Sequence, residues 1–563
     1  MTVDDGGGSD EEDDAVVDAR TERRERANPL AELRALRRTF GDSLLKFIFS
    51  VMFGLKGALM QLIGTSALPY AQQYLKFTAV QMQRYSIVAM FPWTVKPVMG
   101  MVSDLFPIGG YHKRYYIVGA SAIGFAAICY LAGTEMRPGM GISYVIALVA
   151  INTQVATADL LTEGAYTERM REKPKRSSDM VSFVWLCITL GSIFSTACSF
   201  FSIKYKDYRS MMFIAVPLSA QALYTSFAGW LPEKKVGSSE ESESKDAESA
   251  LETGKKEYGE ALWRENWRVF TLSIFMALMC LLIAGVQFFE LENKYVDLII
   301  TVSITVILSI CIYAALPRPV ANVTFFLFLT SVTSVSFGSA MSYWFTVGNK
   351  CNPGGPQFDY LFFSVYTAII ARVCTGIGVY LFQVFFSNAN VRFTFWMSAI
   401  LSSFASLGDY AMVKRWNLDW GIPDKTFYLV GDTILEPMVG MMAAMPSVVL
   451  MSKMCPKNME ATMFAILASF NNLGSSLSSA LGVFAMDYMG IKTDIMKEGI
   501  EGSCDFSQLP NLILYFGMLM PLTAIPLTFI FVPNINMQDT VNLETGRPEN
   551  DESNSERAPL LAK

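Results

Sequence analysis

The sequence predicts an all-α membrane protein: two six-helix halves in one bundle, twelve core spans, with an extra helix pair between the halves to make fourteen. Three observations carry this. Only 17% of the 563 residues are charged, while 52% are hydrophobic and 13% aromatic; a soluble domain carries about 25% charge. Mean hydropathy is +0.33. Fourteen apolar runs approach the ~20 residues that cross a bilayer as a helix, and in lipid only internally hydrogen-bonded helices or closed barrels satisfy the backbone.

The elements follow in order. Residues 1–38 form an acidic, then Arg-rich tail, read as disordered and cytosolic, with no apolar leader before the first span. The N-terminal half, 39–231, holds runs at 43–66, 76–103, 115–134, 142–166, 178–201 and 210–230. The linker 232–262, including VGSSEESESKDAESALETGKKE, is charged and poor in apolar residues, so it reads as disordered. The extra pair, 263–317, contributes runs at 267–289 and 296–316, joined by ELENKY. The C-terminal half, 318–533, holds runs at 320–345, 358–386, 391–411, 425–450, 460–489 and 510–532, and 534–563 is a polar tail read as disordered and cytosolic.

Six and six around a central loop is the plan of carriers built from repeated halves, with the site near the midplane between them. An internal echo agrees: RMREKPKRSSDMVSFVWLCITLGSIFS and SKMCPKNMEATMFAILASFNNLGSSLS each run from a basic turn into a helix with a deep glycine, Gly191 and Gly474. The small-residue run 471–480 suits close helix packing. Basic residues fix the orientation. Arg34, Arg37, Arg38, Lys113, Arg114, Arg169, Arg171, Lys173, Lys175, Arg176, Lys453 and Lys457 all fall on one side, which places both termini in the cytoplasm. The outer loops at 202–209 and 412–416 also contain Lys and Arg, against this trend.

Charges within spans are costly and face a cavity or one another. The candidates for substrate binding or proton coupling are Lys96, Asp159 and Glu163 in ATADLLTEGAY, Arg372, and Asp432 and Glu436 in LVGDTILEPMVG. Each acidic pair is spaced i,i+4, which puts both carboxylates on one helical face. At 1.5 Å per residue, Lys96 stands ~12 Å from Asp104 and Asp159 ~15 Å from Arg169, so the two are level. Arg372 and Glu436, roughly 24 and 26 Å from Asn388 and Lys453, are level too. The spacing predicts one neutralised basic residue in each half. Structural ion pairing is the plain alternative; anion binding at the bases, or proton uptake by a carboxylate, is the functional one.

Aromatic residues at spans or their ends, Trp93, Phe337, Tyr343, Trp344 and Tyr366, could stack on a flat ring, although Tyr343–Trp344 equally suits an interfacial belt. Asn152 and Gln154 offer polar edges. His112, the single histidine, reads as an exposed loop residue. Cys351 and Cys504 fall in loops placed outside, GNKCNPGG and EGSCDFS, where the oxidising side permits a disulfide between them. The nine cysteines show no metal-ligand spacing, and no phosphate-cradling loop or nucleophile elbow occurs. An enzyme, a cofactor protein, an ATP-driven pump and a nucleic-acid binder are therefore not expected. Lipid is the surrounding partner.

PWTVKPVMGMVSDLFPIGGYHKRYYIVGA resembles the second helix and first cytosolic loop of the folate–biopterin transporter family, a branch of the major facilitator superfamily. ADLLTEGAYTERMRE and CPKNMEATMFAILASFNNLGSSLS resemble further segments of it. The resemblance implies a major-facilitator-type bundle and a secondary transporter importing folates, pterins or related metabolites with protons. The family includes carriers of S-adenosylmethionine, so that solute or an amino acid is the alternative; a non-transporting nutrient sensor is a third reading. Gly100, Asp104, Lys113 and Arg114 resemble the superfamily's inner-gate motif, with Gly100 allowing close helix contact and Asp104 capping or pairing with a helix end. ERAPLLAK places Glu556 before Leu560 and Leu561 in the pattern of an acidic dileucine signal for endocytic adaptors. Residence in the plasma membrane is expected, with endosomes or lysosomes kept open.

Overall fold

The computed structural model describes residues 29–172, 177–233, 245–289, 294–386, 389–454, 460–493 and 504–537. Helices occupy all fourteen predicted runs. They are α1 (Asp42–Leu75), α2 (Ala79–Thr94 and Lys96–Leu105), α3 (Arg114–Gly133), α4 (Gly141–Glu172), α5 (Ser177–Lys204), α6 (Ser210–Phe227), α7 (Lys245–Phe288) and α8 (Lys294–Ala315). They continue with α9 (Arg318–Thr333 and Gly338–Thr346), α10 (Phe362–Tyr366 and Thr367–Phe386), α11 (Val391–Val413), α12 (Asp424–Tyr428, Leu429–Leu435 and Glu436–Lys453), α13 (Glu460–Tyr488) and α14 (Leu509–Phe531). Eleven are long and apolar enough to cross a membrane by length and composition. The other three are α2, which is broken at Val95, and the Ser-rich α11 and α13.

Three stretches read as disordered are in part ordered. Pro29–Phe40 is a helix whose Leu36 and Phe40 are buried; its leucines recur at helical spacing. The helix α7 starts at Lys245, so 245–262 is helical; KDAESALETGKKEYGEAL is made mostly of strong helix formers. At the far end, Val391 N–H donates to Ile535 O at 2.9 Å and Met537 N–H to Ala389 O at 3.0 Å.

Apolar burial falls into two large clusters. One draws mainly on residues from Leu36 to Leu231, joined by Val365, the other mainly on residues from Leu272 to Met537. Corresponding helices pack alike in both. A side chain at Gly191 would collide with Phe53 O, so α1 and α5 touch backbone to backbone. One at Gly474 would lie 2.9 Å from Phe328 O, so α13 meets α9 in the same way. The two glycines of the sequence echo thus serve close approach.

The extra pair α7–α8 lies against α2 and α13. Asp297 of α8, 1% exposed, is 3.0 Å from Arg84 of α2, which also reaches Asp487 of α13 at 3.4 Å. Helix breaks are satisfied across helices. Where α9 interrupts, Ser336 N–H donates to Ser478 Oγ at 3.1 Å and Ser478 Oγ donates to Ser334 O at 2.5 Å, as backbone freed inside a membrane bundle requires.

Candidate functional site

Apart from the Arg84–Asp297–Asp487 cluster of the extra pair, charged side chains within the bundle gather at two places, and the first is built on α4. Asp159 is buried, and both of its oxygens are occupied. Lys96 Nζ is 2.6 Å from Oδ2 and Lys56 Nζ is 2.9 Å from Oδ1. The α2 helix breaks at Val95 (φ −95, ψ 8). Pro97, with no N–H to donate, then suits the first turn of the restarted helix, and Lys96 stands at that restart. Trp93 Nε1 donates to Asn152 Oδ1 at 2.8 Å, and the Lys96 ammonium sits 4.4 Å from the Trp93 ring centroid. Glu163 lies one turn beyond Asp159, within electrostatic reach of both lysines.

Lys96 meets Asp159 as their equal depth predicts, and Lys56 of α1 joins them. The sequence signal for Lys56 is a lysine in the apolar stretch FGLKGALMQ of the first run. Two ammonium groups share the Asp159 carboxylate, with Lys56 31% and Lys96 14% exposed and Glu163 beside them. Such a group can hold an anion.

Arg372 does not meet Glu436. Its Nη2 donates to Gln61 Oε1 of α1 at 2.5 Å, a polar bridge between the halves. Equal depth gives no azimuth. The π turn Phe362–Tyr366 precedes Arg372 on α10, and one inserted residue turns the downstream face by roughly a quarter turn.

The second place is a cavity of about 610 Å³ bounded by α9, α10, α11, α12 and α14. Asp409, Asp432 and Glu436 line it with Tyr428 and Phe337, among eight serines and without a single Lys, Arg or His. The π turn Leu429–Leu435 carries Asp432. One oxygen of Asp409 is buried with no hydrogen-bond partner among the described residues. Asp409, in SLGDYAMV, was missed because it falls at the end of its run, where a charge ordinarily marks the membrane surface.

Of the aromatic candidates, Trp93 joins the lysine cluster and Phe337 lines the cavity. Tyr343 and Trp344 are both buried, so neither faces lipid or solvent as a belt would. Tyr343 is fully buried, with its hydroxyl donating to Phe77 O at 2.6 Å, and Trp344 is buried against Phe345. Tyr366 is 47% exposed, with Phe200 as its ring neighbour. Gln154 is buried and spent on Ser219 at 2.8 Å.

The motif Gly100–Asp104–Lys113–Arg114 forms a clasp by another route. A side chain at Gly100 would meet only Leu160, at an ordinary 3.5 Å, so that glycine is not a close-contact point. Asp104 caps no helix and has no hydrogen-bond partner among the described residues; it is exposed, with Lys113, His112 and Glu168 as neighbours. The cap comes from Glu233, just past α6, which accepts the backbone N–H of His112 (2.7 Å), Lys113 (2.9 Å) and Arg114 (3.1 Å) at the start of α3. A carboxylate on that helix end satisfies free donors and the helix dipole together. Lys113 Nζ reaches Glu168 at 3.1 Å, and Arg114 donates to Phe227 O at 2.5 Å. His112 is half-buried, with a ring nitrogen 3.0 Å from Ser103 O.

At the opposite end the halves are sealed together. Gln72 Nε2 donates to Thr346 Oγ1 (3.0 Å), Gln73 Nε2 to Tyr360 Oη (3.1 Å) and Ala79 N–H to Thr493 Oγ1 (2.7 Å). Gln83 Nε2 donates to Ser479 O at 3.0 Å. Cys351 and Cys504 are joined by a disulfide with Cα atoms 5.0 Å apart, tying the α9–α10 loop to the α13–α14 loop. Glu556, Leu560, Leu561, Lys173, Lys175, Arg176 and Lys457 lie outside the described residues.

Comparison with known proteins places this geometry. The profile of the BT1 family matches residues 56–550. Probable folate-biopterin transporter 4 of Arabidopsis thaliana is 22% identical over 89% of this chain and 97% of its own length. Folate-biopterin transporter of Synechocystis is 24% identical over 78% and 72%. Among solved structures, an auto-inhibited POT family peptide transporter superposes with TM-score 0.55 at 14% identity, covering 89% of this chain and 99% of its own. A D-xylose–proton symporter gives 0.51 at 13%, covering 89% and 99%. At such identities these two speak for the fold alone, a major-facilitator-type bundle.

Proposed function

The chain belongs to the BT1 family and is a multi-pass membrane transport protein, not an enzyme; from that premise we propose that it imports folate- or pterin-type metabolites by proton symport with alternating access. The observation that carries this reading is the pair of lysines on buried Asp159. An anionic substrate can draw one ammonium from the carboxylate, and either Asp159 or neighbouring Glu163 can accept the compensating proton. The names of the Arabidopsis and Synechocystis relatives supply the substrate class.

The contacts of residues 72–83 with α9, α10 and α13 close one end of the path. Placed outside by the basic-residue rule, with both termini cytoplasmic, that end makes this the outward-closed state. Residence in the plasma membrane fits an importer. The acid-lined cavity favours one second reading, a carrier of a cationic solute such as S-adenosylmethionine or an amino acid.

The test is uptake of labelled folate, biopterin and S-adenosylmethionine by transport-null cells expressing the chain, at external pH 5.5 and 7.5. Saturable folate or biopterin uptake, faster at the lower pH, is expected. Uptake of S-adenosylmethionine alone would overturn the substrate assignment, and pH-independent folate uptake would overturn proton coupling.

A further inference from the structure

We infer that the cavity of α9, α10, α11, α12 and α14 is the subsite for a 2-amino-4-oxopteridine ring, with Asp432 or Glu436 accepting the ring's N3–H and 2-amino donors. This rests on the folate/pterin reading above and adds where, and by which edge, the substrate is recognised. The two places differ in charge balance. Lys56 and Lys96 face Asp159 and Glu163 at the first, whereas Asp409, Asp432 and Glu436 line a cavity with no basic residue. An anionic group is repelled from three carboxylates, so the charged tail of a folate cannot sit there. A neutral group with adjacent N–H donors can.

The aminopyrimidinone edge presents two parallel N–H bonds in the fork arrangement that a carboxylate accepts bidentately. The cavity volume of about 610 Å³ falls within the 300–1,000 Å³ range of small-molecule sites and holds a bicyclic ring. Phe337, Phe345, Phe363 and Tyr428 supply apolar and aromatic walls for its faces, and the serines supply partners for its remaining nitrogens. Asp409 adds a pointer: its carboxyl is hydrogen-bonded to that of Asp432, and its buried Oδ1 has no donor among the described residues, a costly condition that a ligand donor or its bridging water relieves. The tail of the same molecule then falls to the lysines.

The experiment is equilibrium binding of tritiated folic acid to the full-length chain in detergent at fixed pH, without a proton gradient. Competitors are pterin, which is the ring alone, lumazine, in which an oxo group replaces the 2-amino group, and p-aminobenzoylglutamate, the tail alone. With wild type, lumazine should compete about tenfold or more weakly than pterin, since it removes a hydrogen bond to a charged acceptor. Asp432→Asn and Glu436→Gln should weaken pterin by a similar factor and leave p-aminobenzoylglutamate unchanged. Asp432→Glu should restore pterin in part, and Lys96→Gln should weaken the tail compound instead. Equal competition by pterin and lumazine in wild type overturns the inference with no substitution needed, and so do acid variants that lose ring and tail together. If wild type binds labelled S-adenosylmethionine but no pteridine, the functional reading itself falls, and the subsite with it.

Discussion

The same pattern, two carboxylates four residues apart, stands on α4 and on α12 with opposite surroundings. On α4, Asp159 is enclosed by Lys56 and Lys96 and its oxygens are fully used. On α12, Asp432 and Glu436 line a cavity without a base, and Asp432 meets Asp409 of α11. A local pattern states that charges share a face; the helices opposite decide whether they are neutralised. The first arrangement couples folding to charge balance, and the second keeps unpaired acceptors for something that enters from outside.

Stability should therefore respond oppositely to similar substitutions. Asp159→Asn leaves two partly buried ammonium groups without a counter-charge. Breaking a buried pair from one side costs about 3–5 kcal/mol, so thermal unfolding in detergent should show a large loss, and Lys56→Met with Lys96→Met added should recover much of it. Failure to recover would mean that Asp159 acts through something other than these lysines. Asp432→Asn removes one of three like charges, so its unfolding temperature should hold or rise while uptake falls about tenfold or more. A large loss of stability there would erase the contrast between the halves.

Two smaller effects sharpen it. Tyr343→Phe deletes one buried hydrogen bond in the seal between Phe77 and α9, a change of about 1 kcal/mol. It should raise labelling of cysteines introduced near Gln72 by a membrane-impermeant reagent, and unchanged labelling would remove Tyr343 from the gate. Arg372→Ala loses an exposed contact with Gln61 and should change stability by less than about 1 kcal/mol. If uptake nevertheless drops severalfold, Arg372 acts on substrate rather than as a strut.

Much of this was legible along the chain. Hydropathy located fourteen helices because bilayer thickness sets run length and lipid forces the backbone to bond within its own segment. The acidic tail and linker misled in part, since composition alone undervalued the helix propensity of 245–262 and the apolar stripe of Pro29–Phe40. The disulfide was legible as two loop cysteines on one side, and the Lys96–Asp159 pair as two charges at one depth. Arg372 and Glu436 also share a depth and do not meet, because Arg372 turns to Gln61.

The sequence by itself determined which segments cross, where charges are stranded in them, and how deep each lies, because rise per residue is fixed once a helix is forced. Only the tertiary structure decided which stranded charges meet. It turned Arg372 towards Gln61, added Lys56 to Asp159, brought Asp409 to Asp432 and Glu436, and gave the cap of α3 to Glu233 instead of Asp104. The physical reason is azimuth. A π turn or a break at a proline rotates a helical face without changing its depth, and charge pairing depends on the few ångströms that such a rotation moves.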